Sequence, residues 1–235
     1  MTTSKTRGES PLIILGLDSS AVSASCAVTQ DGNVLASGFV RVKITHSQTL
    51  IPLVENILKA AGMSLDEIDA FAVSNGPGSF TGIRISVSAV KGMAFALNKP
   101  VCGVSTLLSL AHNLVGRDVI ACAVMDARRN EVYNALFDIS GDSVTRLTQD
   151  RAISLDDLGS ELEVFEKEVV FVGDGAGLAV DYFEGAGSCA PEIIRFQNAV
   201  NVCLAAKNFV SAKELMPIYI RKPQAERERI KRQMS

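Results

Sequence analysis

Residues 12–40 read LIILGLDSSAVSASCAVTQDGNVLASGFV, and residues 119–147 read VIACAVMDARRNEVYNALFDISGDSVTRL. The first stretch opens with an unbroken apolar run that stops at Asp18, the pattern of a strand buried on both faces and ending at a polar edge. A second strand is predicted from Ser23 to Thr29, Asp31-Gly32 supplies the positive φ of a tight hairpin, and a third strand covers Val34 to Val40. The second stretch repeats the plan with strands at Val119 to Asp126, Glu131 to Ile139 and Ser143 to Leu147, and Asp126 takes the place of Asp18. After each triplet comes a helix. From His46 to Ala61 the residues Leu50, Leu53, Val54, Ile57, Leu58 and Ala61 recur at threes and fours, and Gly62 closes the stripe. The counterpart begins near Ser154. Short strands at 70–74 and 169–172 follow, each leading into a glycine loop, Gly76/Gly78 or Gly173/Gly175, and then into helix; Ser79 or Thr81 caps the one that runs to about Leu97. First strands are offset by about 107 positions, first helices by about 108 and fourth strands by about 99. The chain is therefore expected to be α/β, with two βββαβα lobes that face a cleft and present loops at the carboxyl ends of their strands. The expected divisions are a flexible tail at 1–10, an N-terminal lobe at 11–104, a C-terminal lobe at 105–220 and a basic tail or helix at 221–235.

Composition agrees with a folded chain and removes several functions. Hydrophobic residues make up 47% of the 235 against 21% charged, enough for a real core. The net charge of −3 excludes a protein that grips nucleic acid with its whole surface, although residues 221–235 carry six basic and two acidic side chains. That tail is ordinarily solvated surface and can alternatively meet a phosphate backbone or an acidic partner. Five cysteines, odd in number and set in apolar sequence, read as reduced core residues. With two histidines, His46 and His112, and no CxxC, no protein-held zinc site is expected. The first ten residues are polar and lack the apolar core of a signal peptide, and no uncharged apolar run of membrane-spanning length follows. A cytoplasmic protein is expected, with no membrane partner.

The segment with most chemical potential is Asn75-Gly76-Pro77-Gly78-Ser79-Phe80-Thr81-Gly82-Ile83-Arg84. Free amides at such a helix start bind anions, with Arg84 one turn in. No Gly-Lys-Ser/Thr follows, so it is not a Walker loop, nor does it match the dinucleotide fingerprint. The competing reading is a capped helix packed tightly on a neighbour. Asp18 and Asp126 are matched carboxylates that can hold magnesium or divide acid and base roles; alternatively they cap strand ends and bind loop amides, the favoured reading because nothing else converges on them. Ser79 or Thr81 lacks an activating histidine, which leaves a peptidase mechanism without chemical support. His46 stands alone and reads as a helix-start histidine making one hydrogen bond.

The duplicated plan resembles the fold of actin, Hsp70 and sugar kinases. An independent ATPase or kinase of that fold would use Asp18, Asp126, Gly173 and Gly175 at a nucleotide cleft. Here Asp126 is followed by Ala127-Arg128-Arg129 rather than a glycine turn, and Asp174 sits between Gly173 and Gly175, placing a carboxylate where a phosphate would approach. The cleft therefore reads as vestigial. The blocks GPGSFTGIRISVSAVKGMAFA, LGLDSS, HSQTLIPLVENIL, MDARRNEVY and PIYIR resemble the TsaB (YeaZ) family across nearly the whole chain beyond residue 10. That resemblance implies a non-catalytic partner and scaffold for a TsaD-type transferase, which with a TsaE-type ATPase forms N6-threonylcarbamoyladenosine at position 37 of tRNA. It also implies a homodimer when the chain is alone. No cofactor is expected in the isolated chain, and ATP or ADP with magnesium is allowed at a subunit interface. By the same resemblance the first two helices pack against their counterparts in the partner. Between Phe80 and Leu97 only Arg84 and Lys91 are charged, so apolar surface spreads round several faces. The interface is expected to use Leu50, Ile51, Val54, Leu58, Ile83, Val87, Val90 and Met93.

Overall fold

The two sequence triplets become the centres of two mixed sheets in the computed structural model, which describes residues 12–42, 44–128, 130–184 and 187–221. In the first, β1 (Ile13–Asp18), β2 (Ala24–Gln30) and β3 (Asn33–Val40) form an antiparallel meander. Two parallel strands, β4 (Ala70–Gly76) and β5 (Val101–Ser105), extend it to the order β3-β2-β1-β4-β5. The second sheet comprises β6 (Arg117–Asp126), β7 (Glu131–Gly141), β8 (Ser143–Arg146), β9 (Arg151–Ser154), β10 (Val169–Val172) and β11 (Ser188–Cys189). Its order is β11-β10-β6-β7-β8, with β9 also pairing β7. Thus β6, β7, β8 and β10 stand where β1, β2, β3 and β4 do, and the duplicated α/β architecture is present. Sequence reading did not separate β5, β9 and β11, each of five residues or fewer.

Helices cover both faces of each sheet, as parallel strands require. On one face of the first sheet lie α1 (His46–Ala61) and α2 (Phe80–Leu97), capped as expected at Gly62 and at Ser79. Leu50, Val54, Ile57 and Leu58 from α1 and Ile83, Val87, Val90 and Ala94 from α2 join Leu15, Leu17, Phe71 and Val73 in one core. Each such large side chain contributes about 1.5–3 kcal/mol by leaving water. By length and composition α2 is also able to cross a membrane; this buried stripe makes it a core helix. The second lobe adds α3 (Thr106–Ala111), α4 (Leu155–Leu162), α5 (Ala176–Tyr182), α6 (Glu192–Arg195) and α7 (Ala199–Ala205). Leu155, Leu158, Ala176 and Ala179 pack on one face of its sheet, and Leu107, Leu110 and Ala111 on the other.

The expected lobe 105–220 needs correction. The far face of the first sheet is built from small apolar side chains, Ile14, Ala27, Ala70, Ala72, Cys102 and Val104, and the helix that covers it is α7, through Ala199, Val202, Cys203 and Ala205. Val210 then bridges to Val101, while Ala212 and Leu215 enter the first core. Residues 199–220 therefore belong spatially to the first lobe. The expected tail at 1–10 and the basic segment beyond Arg221 lie outside the described residues.

Candidate functional site

A cleft of about 490 Å³ opens where the carboxyl ends of β1, β4, β6 and β10 meet, bordered by Ser20, Ser79, Thr81, Asp126, Asp174 and Tyr219 among others. At the ends of β1 and β6 the first-strand aspartates perform the same local task in each lobe. Oδ1 of Asp18 accepts the Ser20 amide at 3.0 Å, and Oδ1 of Asp126 accepts the Arg128 amide at 2.6 Å, two turns of the kind aspartate forms with a backbone two residues on. Asp18 also takes the Ser20 hydroxyl and is fully buried; Asp126 is exposed. Burial pushes the Asp18 carboxyl above its ordinary range, with the Ser74 and Ser20 hydrogen bonds and nearby His46 opposing it.

Around them several of the loop amides already have partners. Ser79 N donates to the Ser20 carbonyl and Ile83 N to that of Ser79, while Gly82 N donates to the Ser79 hydroxyl. In the second lobe Gly173 N donates to Arg195, Gly175 N to Val124 and Ala176 N to Gly173. The glycines of the motif serve close packing. A Cβ on Gly82 would lie 1.9 Å from the Ser19 carbonyl oxygen, and one on Gly76, which has φ of +134°, would lie 2.2 Å from that of Ile218. Ser19 Oγ in turn donates to the Gly82 carbonyl, stapling the start of α2 to the end of β1. Arg84 is stacked 3.8 Å over Phe80 and donates from Nε to the Tyr219 hydroxyl. His46 Nε2 meets the Ala21 carbonyl at 2.7 Å, the single bond expected of it. Among the described residues no three His, Cys, Asp or Glu side chains are grouped so as to hold a metal ion. The cleft thus has the outline of a nucleotide site in which the amides of Ser79, Gly82, Gly173 and Gly175 are already paired within the protein.

Comparison with known proteins decides the family. A family model described as TsaD, tRNA N6-adenosine threonylcarbamoyltransferase, matches residues 41–228. The tRNA threonylcarbamoyladenosine biosynthesis protein TsaB of Escherichia coli is 33% identical, over 69% of this chain and 71% of its own. That of Bacillus subtilis is 30% identical over 71% of this chain and 73% of its own. The chain belongs to the TsaB family. A solved structure of YeaZ from Pseudomonas aeruginosa superposes with a TM-score of 0.75 at 26% identity, covering 88% of this chain and 99% of that one. The ethanolamine utilization protein EutJ of Carboxydothermus hydrogenoformans, at 12% identity and a TM-score of 0.52, shares the fold alone.

Of the residues on α1 and α2 expected to meet a partner, some are buried and some are open. Leu50, Val54, Leu58, Ile83, Val87 and Val90 are all buried in this lobe's own core and cannot also meet another chain. Ile51, 44% exposed, and the half-buried Met93 remain available. The open face of α2 consists instead of Thr81, Arg84, Ser88, Gly92, Phe95 and Ala96, with Ile85 and Ala89 at its margins, and Phe95 is 70% exposed. Small residues flanking one large aromatic suit close helix approach. Sequence reading also left the PIYIR segment without a structural role. Its Tyr219 stacks on Phe80 in the first lobe, while Arg221 bonds the Ala127 carbonyl and pairs with Glu131 in the second. The alternation of apolar and aromatic residues before an arginine was the available signal.

Proposed function

We propose that this chain is a non-catalytic partner subunit in the formation of N6-threonylcarbamoyladenosine on tRNA. It supports a TsaD-type transferase of the same fold and works beside a TsaE-type ATPase, with tRNA reached through the assembly. Membership of the TsaB family gives the pathway. The observation that carries the subunit role is the closed cleft: Asp18 and Asp126 each bond their own turn, and the loop amides at Ser79, Gly82, Gly173 and Gly175 donate internally. A nucleotide phosphate finds none of these four amides free, so they lend no support to an independent ATPase or kinase. The isolated chain takes no cofactor on this reading, and a magnesium nucleotide belongs between subunits of the assembly.

The open face of α2, centred on Ser88, Gly92 and Phe95, is the contact surface, with the exposed Ile51 of α1 available to it. Alone, the chain covers that face with a second copy. Sedimentation of the purified chain with and without the TsaD-type protein tests this. A homodimer that gives way to a heterodimer is expected, and Phe95→Glu should weaken both by tenfold or more while the circular dichroism stays unchanged. A monomer that ignores the transferase at micromolar concentration would refute the assignment.

A further inference from the structure

Asp174 lies in the turn between β10 and α5, half-buried on the cleft wall, where its Oδ1 accepts Nε2 of Gln197 at 3.2 Å. Gln197 is completely buried, and its Oε1 has no hydrogen-bond partner. The charges facing this turn are Asp126 from β6 and Asp18 from β1, with His46 of α1 beyond Asp18. Among the described residues that line the cleft, the cations are Arg128 and Arg221, and Arg221 is engaged with Glu131 and the Ala127 carbonyl. Arg195 of α6 turns its Nε to the Ala190 carbonyl instead.

An ionised carboxylate offers only acceptors and cannot supply the hydrogen that the buried Oε1 of Gln197 lacks, whereas a carboxylic acid has one O–H to give. We propose that Asp174 and Gln197 form an acid–amide pair that stores a proton at the lobe junction. The proton comes from solvent and sits on Oδ2, whose O–H donates to Gln197 Oε1, while Nε2 keeps its bond to Oδ1. Both end groups rotate about their last torsions to close the ring, and no other bond is made or broken. Burial, opposed by the Gln197 bond and reinforced by repulsion from Asp126 and Asp18, raises the pKa of Asp174 to about 6. Gln197 stands between α6 and α7, on the stretch that carries the chain from the second lobe to the far face of the first sheet. The pair is thus a pH-sensitive tie, neutral and doubly bonded on the acid side, charged and singly bonded on the alkaline side. It also removes one negative charge from the cleft wall as pH falls.

The test is a carbon NMR titration of the full chain labelled with ¹³C and ¹⁵N, with Asp174→Asn to assign the signal. The Asp174 carboxyl carbon and the Gln197 carboxamide carbon should move together, with one midpoint near 6. An Asp174 midpoint in the ordinary carboxylate range, or a Gln197 carbon that stays still while Asp174 titrates, overturns the pair. Melting temperature gives a second reading. Because the folded form binds its proton more tightly than the unfolded one, the wild type should gain stability as pH falls through 6 toward the unfolded value near 4, and lose it as pH rises. Asp174→Asn should lack that component; identical pH profiles for the two chains contradict the proposal.

Discussion

A methyl group at Gly82 would meet the Ser19 carbonyl oxygen at 1.9 Å, backbone against backbone, so Gly82→Ala has to lift the start of α2 off the end of β1. We expect a loss of about 2–3 kcal/mol, read from urea denaturation. A change under about 0.5 kcal/mol would mean that the motif's glycine is there for something other than packing. At Asp18 the account separates two substitutions. Asp18→Asn keeps an acceptor for Ser20 and should leave the fold intact, while Asp18→Ala strands the Ser20 amide and should cost about 1–2 kcal/mol. Equal stability of the two would show that the turn does not depend on the side chain. The sequence made Asp18 and Asp126 legible as equivalent strand ends, since each closes an apolar run before a polar turn. It did not reveal that one is fully buried and the other exposed, because that difference is set by the neighbouring loops.

Within α2 the sequence predicted the element almost to the residue but misassigned its faces. Apolar residues spread round most of the helix, so periodicity could not say which stripe meets the sheet; Ile83, Val87 and Val90 do, while Ser88, Gly92 and Phe95 stay open. Charge placed at Val87 or Val90 therefore tests the core rather than the partner surface. Val90→Glu should destabilise the lobe by about 3 kcal/mol or more, since it buries an unpaired carboxylate. Ser88→Glu, on the open face, should leave the melting temperature within a few degrees of wild type while lowering association, about 1.4 kcal/mol for each tenfold. The reverse pattern, a stable Val90→Glu chain that fails to associate, would restore the original assignment.

Across the molecule the lobes are joined by segments far apart in sequence. Residues 199–220 return to the first sheet, and no local pattern announces this: the far face of that sheet is lined by small side chains whose cover can come from any helix. Residues 219–221 cross the cleft, with Tyr219 against Phe80 and Arg84 on one side and Arg221 against Glu131 and Ala127 on the other. Arg221→Ala should leave the core intact while speeding amide exchange in β7 and around Ala127 by about tenfold, the equivalent of one lost charge-assisted bond. Unchanged exchange there would show that the crossing segment does not tie the lobes.

The duplicated βββαβα plan was legible because each lobe writes the same triplet and glycine loop; the closed state of the cleft was not, because it depends on which amide meets which carbonyl. That closure is the basis for reading the chain as a supporting subunit. It is tested most directly by mass spectrometry of tRNA after a reaction reconstituted from purified TsaC-type, TsaD-type and TsaE-type proteins, run with and without this chain. The account predicts threonylcarbamoyladenosine only when the chain is present, undiminished by Asp126→Ala and strongly reduced by Phe95→Glu. Equal product without the chain, or product lost with Asp126→Ala in a folded protein, would contradict it.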